Sequence, residues 1–259
     1  MNNSVNKIES FVLFGALGDL SVRKLIPAWY YLERDNVLNN NLKILGVGRK
    51  DITKSQFLKK VHNALKNHVS KEYLDDDIIL QLLSRFNYCC CDLQSSKNYQ
   101  ELSLSLEKWG RPTAYYLAIS PYLFESVFDG LNFAKLLTSS CRIVVEKPIG
   151  YNLESSKIIN NKLLNYFDES QIYRIDHYLG KETVQNLITL RFANSLFSSQ
   201  WSSKGIDYVE ITAAESVGIA DRWDYFDGMG QLRDMVQSHL LQLLCLITME
   251  PPSNLNDQS

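Results

Sequence analysis

The first two-thirds of the chain switches repeatedly between two hydrophobic periods. Short apolar runs with strand character occupy residues 10–14, 43–48, 86–91, 113–119 and 141–146. Between them lie stretches in which apolar residues recur every three to four positions, at 20–32, 54–68, 76–84, 99–109 and 122–137, the spacing of amphipathic helices. Apolar strands alternating with helices predict βαβ units and a parallel sheet covered on both faces. The expected fold class is therefore α/β, a doubly wound, dinucleotide-binding (Rossmann-like) domain. After about residue 175 the pattern changes. Residues 181–192 read as a helix, 198–205 as a polar break, 206–213 as a half-buried strand, and 233–249 as a strongly apolar helix stopped by Pro251 and Pro252. The expected boundary lies between 170 and 178, giving domains at 1–175 and 176–259.

Composition narrows the function classes. With 45% hydrophobic residues, 22% charged residues and a formal net charge of -2, the chain is an ordinary globular one. The basic excess of a nucleic-acid binder is missing, so no nucleic-acid partner is expected. No apolar run reaches membrane-spanning length, and the polar start lacks a secretory pattern, so no membrane association and a cytoplasmic location are expected. The five cysteines, Cys89, Cys90, Cys91, Cys141 and Cys245, contain no C-x-x-C pair. Adjacent strand residues point to opposite faces, so the triplet reads as buried strand thiols and no metal site is expected.

Three strand ends carry chemistry. The first strand runs into Gly15-Ala16-Leu17-Gly18 and then a helix, a turn in which backbone can approach a pyrophosphate at a helix N-terminus. Many tight strand-to-helix turns need glycine, so this motif alone is also compatible with a purely structural turn. The second strand ends in Arg49 and Lys50, where an NAD site would usually place an acidic residue and an NADP site a cation. A solvated basic turn is the bland alternative, and Asp51 follows at once. The fifth strand ends before Lys147 and Pro148, and ligands of open α/β sheets bind outside such carboxyl ends of strands. Further on, Arg174-Ile175-Asp176-His177-Tyr178-Leu179-Gly180-Lys181-Glu182 is unusually dense in titratable groups. Arg, His, Tyr and Lys can hold a phosphate, and Asp can orient an imidazole. His239 lies on the apolar helix, where a satisfied core histidine is the plain reading. His62 and His68 sit in a polar amphipathic helix and read as solvated.

The nine-residue run resembles the R-I-D-H-Y-L-G-K-E signature of glucose-6-phosphate dehydrogenases, without a mismatch. Other stretches are similar to that family's motifs. Gly15 to Ala28 resembles G-A-x-G-D-L-A-x-R-K-L-x-P-A, with departures at Leu17 and Ser21. Tyr116-Leu117-Ala118-Ile119-Ser120-Pro121 resembles Y-x-A-x-P-P, with Ser120 replacing a proline and removing a backbone constraint. Glu146-Lys147-Pro148-Ile149-Gly150 matches E-K-P-x-G, and Arg233 to Gln242 resembles R-D-M-V-Q-N-H-L-L-Q with Ser238 in place of Asn.

The resemblance implies oxidation of D-glucose 6-phosphate to 6-phospho-D-glucono-1,5-lactone with NADP, the first step of the oxidative pentose phosphate pathway. It implies His239 as general base and Asp176 as its orienting partner. His177, Tyr178 and Lys181 would hold the substrate phosphate, Glu215 and Asp234 the sugar hydroxyls, and Lys147 would stand between substrate and cofactor. Gly15, Gly18, Asp19, Leu20, Arg49, Asp92, Leu93 and Lys147 would line the NADP site. Proteins of that family are nearly twice as long and homo-oligomeric. Residues 176–259 are thus expected to be the start of a truncated α+β domain with most of the dimer surface missing. The second expectation, from a different class, is an inactive NADP-binding remnant or regulatory module.

Overall fold

The computed structural model describes residues 7–109, 112–214 and 223–252. It divides into two compact units, Met1–Arg174 and Ile175–Ser259.

The first unit is a six-stranded sheet built from β1 (Ser10–Phe14), β2 (Lys43–Gly48), β3 (Phe86–Cys90), β4 (Thr113–Leu117), β5 (Arg142–Glu146) and β6 (Ile172–Ile175), in the order β3-β2-β1-β4-β5-β6. Every pairing from β3 across to β5 is parallel, with Val12 of β1 opposite Leu45 on one side and Tyr115 on the other. The chain leaves β1 toward β2 and later returns to β4 on the other flank of β1, so the strand order reverses between β1 and β4. Ligands of doubly wound sheets bind outside the carboxyl ends of the strands at such a switch point.

Six helices connect the strands: α1 (Ile26–Arg34), α2 (Lys54–His68), α3 (Asp76–Arg85), α4 (Tyr99–Glu107), α5 (Phe124–Phe133) and α6 (Leu153–Tyr166). Local chemistry starts several of them. The Thr53 side chain accepts from the Gln56 N–H while Gln56 reaches back to the Thr53 N–H, a capping box that opens α2. Asp75 and Asn152 accept from the first-turn N–H groups of α3 and α6 in the same way. One face of the sheet, with Val12, Phe14, Val47, Tyr115, Ile143 and Val145, packs with Leu102, Phe128 and Leu163 of α4, α5 and α6. On the other face, Trp29 of α1 meets Phe11 and Phe86 edge-on, and Phe57 of α2 meets Phe86. Glu33 of α1 and Arg85 of α3, 4% and 6% exposed, form an ion pair inside this layer.

The second unit contains α7 (Glu182–Phe192), α8 (Ser195–Ser198), α9 (Trp223–Gln231) and α10 (Leu241–Thr248), with Leu232–Leu240 a π-helical segment running into α10. The buried Arg191 of α7 donates to the carbonyls of Leu246 and Met249, and Trp201 Nε1 donates to Ile247 O at 2.8 Å. The otherwise orphaned carbonyls at the end of α10 are thereby satisfied.

Three expectations need correction. Residues 206–213 form no strand; the segment is irregular, and Tyr208 and Val209 are 77% and 42% exposed. Alternation describes a half-buried surface, but a strand exists only where another backbone accepts its hydrogen bonds. The helices expected at 20–32 and 233–249 both begin with π-helical winding, at Ser21–Leu25 and Leu232–Leu240. There the Ile26 N–H reaches Ser21 O and the Leu241 N–H reaches Val236 O, a register common where a helix carries function. Finally, β6 completes the sheet beside β5, with α6 leading to it, although neither stands out in the hydrophobic pattern.

Candidate active site

The motif residues gather into two constellations, one in each unit. In the first, β1 ends at Phe14 and the chain turns through Gly15, whose φ is +81°, a conformation glycine adopts without the penalty of a Cβ. A Cβ on Gly15 would also lie 2.2 Å from the Ala118 carbonyl oxygen. The turn is pinned from several sides. The N–H groups of Gly15 and Ala16 donate to Val47 O at 3.0 and 3.1 Å, and the Gly18 N–H donates to Gly15 O at 2.9 Å. The buried Ser21, one of the departures from the family motif, donates its hydroxyl to Gly15 O at 2.9 Å. Asp19 is exposed and pairs with Arg23 at 3.6 Å, and Leu20 is half-buried.

Arg49 follows the last residue of β2 and is exposed, as is Asp92 just beyond β3; Leu93 packs against the core. Lys147 follows β5 and is half-buried. Gly15, Arg49, Asp92 and Lys147 therefore stand at the carboxyl ends of four strands of one sheet. A tight glycine turn opening into a helix at the switch point, with a cation beyond β2, fits a dinucleotide phosphate chain. A hollow of about 690 Å³ beside Phe11, Trp29 and Val144 contains none of these residues. It lies toward the amino ends of the strands, so cavity size does not mark this site.

Two details were not legible in the motifs. Ser120, where the family has proline, still adopts φ -65°, the angle a proline ring would impose. The Tyr116 hydroxyl donates to the Glu146 carboxylate across β4 and β5, and burial pushes both groups above their ordinary pKa. The cysteines are free thiols; burial raises Cys89 to about 11 and Cys91 to about 12, so these two stay protonated at neutral pH.

The second constellation joins residues 63 positions apart. Asp176 Oδ1 lies 2.8 Å from His239 Nδ1 and also accepts the Tyr178 N–H at 2.9 Å. Both members of the pair are buried, at 7% and 6% exposure. The Tyr178 ring stacks on the His239 ring at 4.3 Å and 14°, and His177 meets that ring edge-on at 4.7 Å. Lys181 Nζ sits 3.5 Å from the centre of the Tyr178 ring, a cation–π contact. A carboxylate facing Nδ1 selects the tautomer protonated there and leaves Nε2 as the proton-accepting atom. Asp176, His177 and His239 also bring potential metal-ligand atoms within 4.8 Å of one another. The 2.8 Å approach, however, is that of a hydrogen-bonded pair.

The expected residues differ in placement. Tyr178 is only 4% exposed, serving as a platform for His239. Arg174, first in the signature, pairs instead with Glu169 and Asn160 in the first unit. Asp234 is half-buried on the π-helical segment, and Glu215 lies outside the described residues.

Comparison with known proteins adds the family. The sequence model described as "Glucose-6-phosphate dehydrogenase, NAD binding domain" matches residues 12–186. The chain belongs to that family. The model for "Glucose-6-phosphate dehydrogenase, C-terminal domain" matches residues 188–259. A glucose-6-phosphate 1-dehydrogenase of Dickeya dadantii is 46% identical over 95% of this chain and 50% of its own length. One from Zymomonas mobilis is 44% identical over 96% and 52%. The crystal structure of the Mycobacterium avium glucose-6-phosphate 1-dehydrogenase superposes with a TM-score of 0.84 at 38% identity, covering 96% of this chain and 54% of that one. A glucose-6-phosphate dehydrogenase in complex with glucose-6-phosphate superposes with a TM-score of 0.86 at 35% identity, covering 97% and 54%. The chain thus spans about half the length of the family relatives it matches. Among its described residues no helix is long and apolar enough to cross a membrane.

Proposed function

We propose that this chain carries the chemistry of its family: oxidation of D-glucose 6-phosphate to 6-phospho-D-glucono-1,5-lactone, with NADP as cofactor, at the entry to the oxidative pentose phosphate pathway. The observation that supports this best is the buried Asp176–His239 pair at 2.8 Å. In this reading residues 1–175 form the cofactor domain and residues 176–259 contribute to substrate binding. Bound NADP supplies the hydride acceptor. His239 takes the sugar hydroxyl proton at Nε2, and Asp176 stabilises the resulting imidazolium through Nδ1. His177 and Lys181, both exposed beside this pair, hold the phosphate. Lys147 serves substrate and cofactor, and Asp234 and Glu215 bind sugar hydroxyls. The cytoplasm, a reducing compartment, suits the free cysteines.

NADP rather than NAD is favoured by Arg49, which replaces the acidic residue an NAD site would carry beyond β2. Arg49→Asp is expected to weaken NADP binding by about 10- to 150-fold, the range of one charge-assisted bond. NAD binding should change far less, and fluorescence titration of both cofactors checks the difference. Equal losses would count against the assignment. Lys181→Ala is expected to raise the KM for glucose 6-phosphate by about tenfold or more through the lost charge-assisted contact. An unaltered KM, or the same change with unphosphorylated glucose, would remove Lys181 from the phosphate site.

The direct test is NADPH formation by the purified chain with glucose 6-phosphate and NADP. Turnover that requires the phosphate on the sugar supports the enzyme. NADP binding without turnover supports the second reading, a cofactor-binding remnant or regulatory module.

A further inference from the structure

The basic turn beyond β2 is tied to the sheet by a residue that no motif marks. Strands β2 and β3 are paired with Gly46 opposite Tyr88 and Gly48 opposite Cys90. On one face of β2 the two glycines leave the backbone bare, and two aromatic rings occupy the space. A Cβ on Gly46 would lie 2.5 Å from Phe57 Cζ, and a Cβ on Gly48 would lie 2.9 Å from the Tyr88 hydroxyl oxygen. The rings of Phe57 and Tyr88 pack with centroids 4.9 Å apart. Lying along this groove, Tyr88 reaches past the end of β2 and donates its hydroxyl to the Lys50 carbonyl at 2.7 Å. Burial pushes the Tyr88 pKa up to about 12, so the hydroxyl keeps its proton across the physiological range.

The turn is short and bounded on both sides. Before it, the Cys91 N–H holds Gly48 O at 2.9 Å; after it, the Thr53 capping box begins α2. Between these anchors the backbone of Arg49 and Lys50 is held by the Tyr88 hydroxyl. We propose that Tyr88 is a positioning residue for cofactor selectivity: its bond to Lys50 O fixes the turn carrying Arg49 and Lys50, and so strengthens binding of the 2′-phosphate. A flexible turn would have to be ordered when that phosphate binds, whereas a pinned turn is already in place. The pyrophosphate is held elsewhere, at the Gly15–Gly18 turn, so loss of the pin should weaken 2′-phosphorylated ligands selectively. This inference rests on Arg49 being the 2′-phosphate ligand.

The test uses the whole chain and two probes, adenosine 2′,5′-bisphosphate and 5′-AMP, titrated calorimetrically. Tyr88→Phe is expected to weaken the bisphosphate by about three- to tenfold, the worth of one neutral hydrogen bond, and to leave 5′-AMP unchanged. Gly48→Ala should do the same, because its Cβ displaces the hydroxyl. The double variant should lose no more than either single one, since both remove the same contact. Retained 5′-AMP binding shows that a variant is folded; if Tyr88→Phe fails that control, Gly48→Ala decides. Equal losses on both probes, no loss on either, or multiplied losses in the double variant would overturn the proposal. Arg49→Ala separates the two layers. If it lowers the bisphosphate preference while Tyr88→Phe does not, the positioning role alone falls. If Arg49→Ala leaves the preference intact, the reading of Arg49 falls and takes this inference with it.

Discussion

Replacing His239 by asparagine is expected to reduce NADPH formation from glucose 6-phosphate by about 10²- to 10⁴-fold, the usual contribution of a positioned general base. Asparagine is nearly the size of the imidazole's inner half and can still meet Asp176, so the buried pocket beside Tyr178 is not emptied. It has no atom that accepts a proton near neutral pH. The loss should therefore appear in kcat, with KM for the sugar phosphate and the affinity for NADP little changed. Steady-state rates, together with cofactor titration of the same preparation, separate these quantities. A variant retaining more than about a tenth of the parent rate would show that His239 is not the base, because even the low end of the general-base range exceeds that. Asp176→Asn is the companion experiment. It keeps the shape but lets the amide stabilise the wrong tautomer, so kcat should fall again without a matching loss of binding.

Arg85→Ala is expected to destabilise the first unit by about 3–5 kcal/mol, the cost of leaving a buried charge without its partner. The Glu33 side chain is 1% exposed, so water cannot replace the guanidinium. Arg85 Nη2 donates to Glu33 Oε1 at 2.9 Å. The Nε–Oε2 contact, at 2.7 Å, gives ion-pair attraction without hydrogen-bond alignment. Arg85 Nη1 also gathers the carbonyls of Asn39, Asn40 and Leu42 at 2.8, 3.1 and 3.2 Å. One side chain thus joins α1, α3 and the loop entering β2. Urea unfolding followed by circular dichroism reads the change directly. Substituting both partners with apolar residues of similar size, Glu33→Leu with Arg85→Met, should recover part of the loss, because no buried charge is left, while the carbonyls of Asn39, Asn40 and Leu42 still lack their donor. If Arg85→Ala costs under about 1 kcal/mol, the pair is no stronger than an ordinary surface contact.

Much of the first unit was legible because its determinants are local or periodic. Residues 54–68 show helical spacing, begin at a Thr-x-x-Gln box, and form α2 with those same limits. The apolar runs at 43–48 and 86–91 needed only their β-branched, aromatic and cysteine content to read as strands, and they became β2 and β3. Helix α6 is faint in the hydrophobic pattern although Asn152 and Ser155 form a capping box at its start; its apolar positions are sparse, with Ile159 and Leu163 alone buried. Strand β6 has only four residues, too few for alternation to show. The segment 206–213 is the opposite case, since its alternation is clear but strand formation depends on a partner elsewhere.

The sequence by itself determined the α/β alternation, the glycine turn after the first strand, the cations beyond the second, and the motifs that place the chain in its family. These follow from local spacing and residue type, which the order of residues contains. Only the tertiary structure decided which side chains meet. It brought Asp176 to His239 across 63 positions, turned Tyr178 into a stacking platform, and sent Arg174 to Glu169 instead. It also laid Tyr88 along two bare glycines to reach Lys50 O. Such contacts depend on how strands register and helices wind, including the π-helical segment that carries His239, and these are settled by packing between segments distant in the chain.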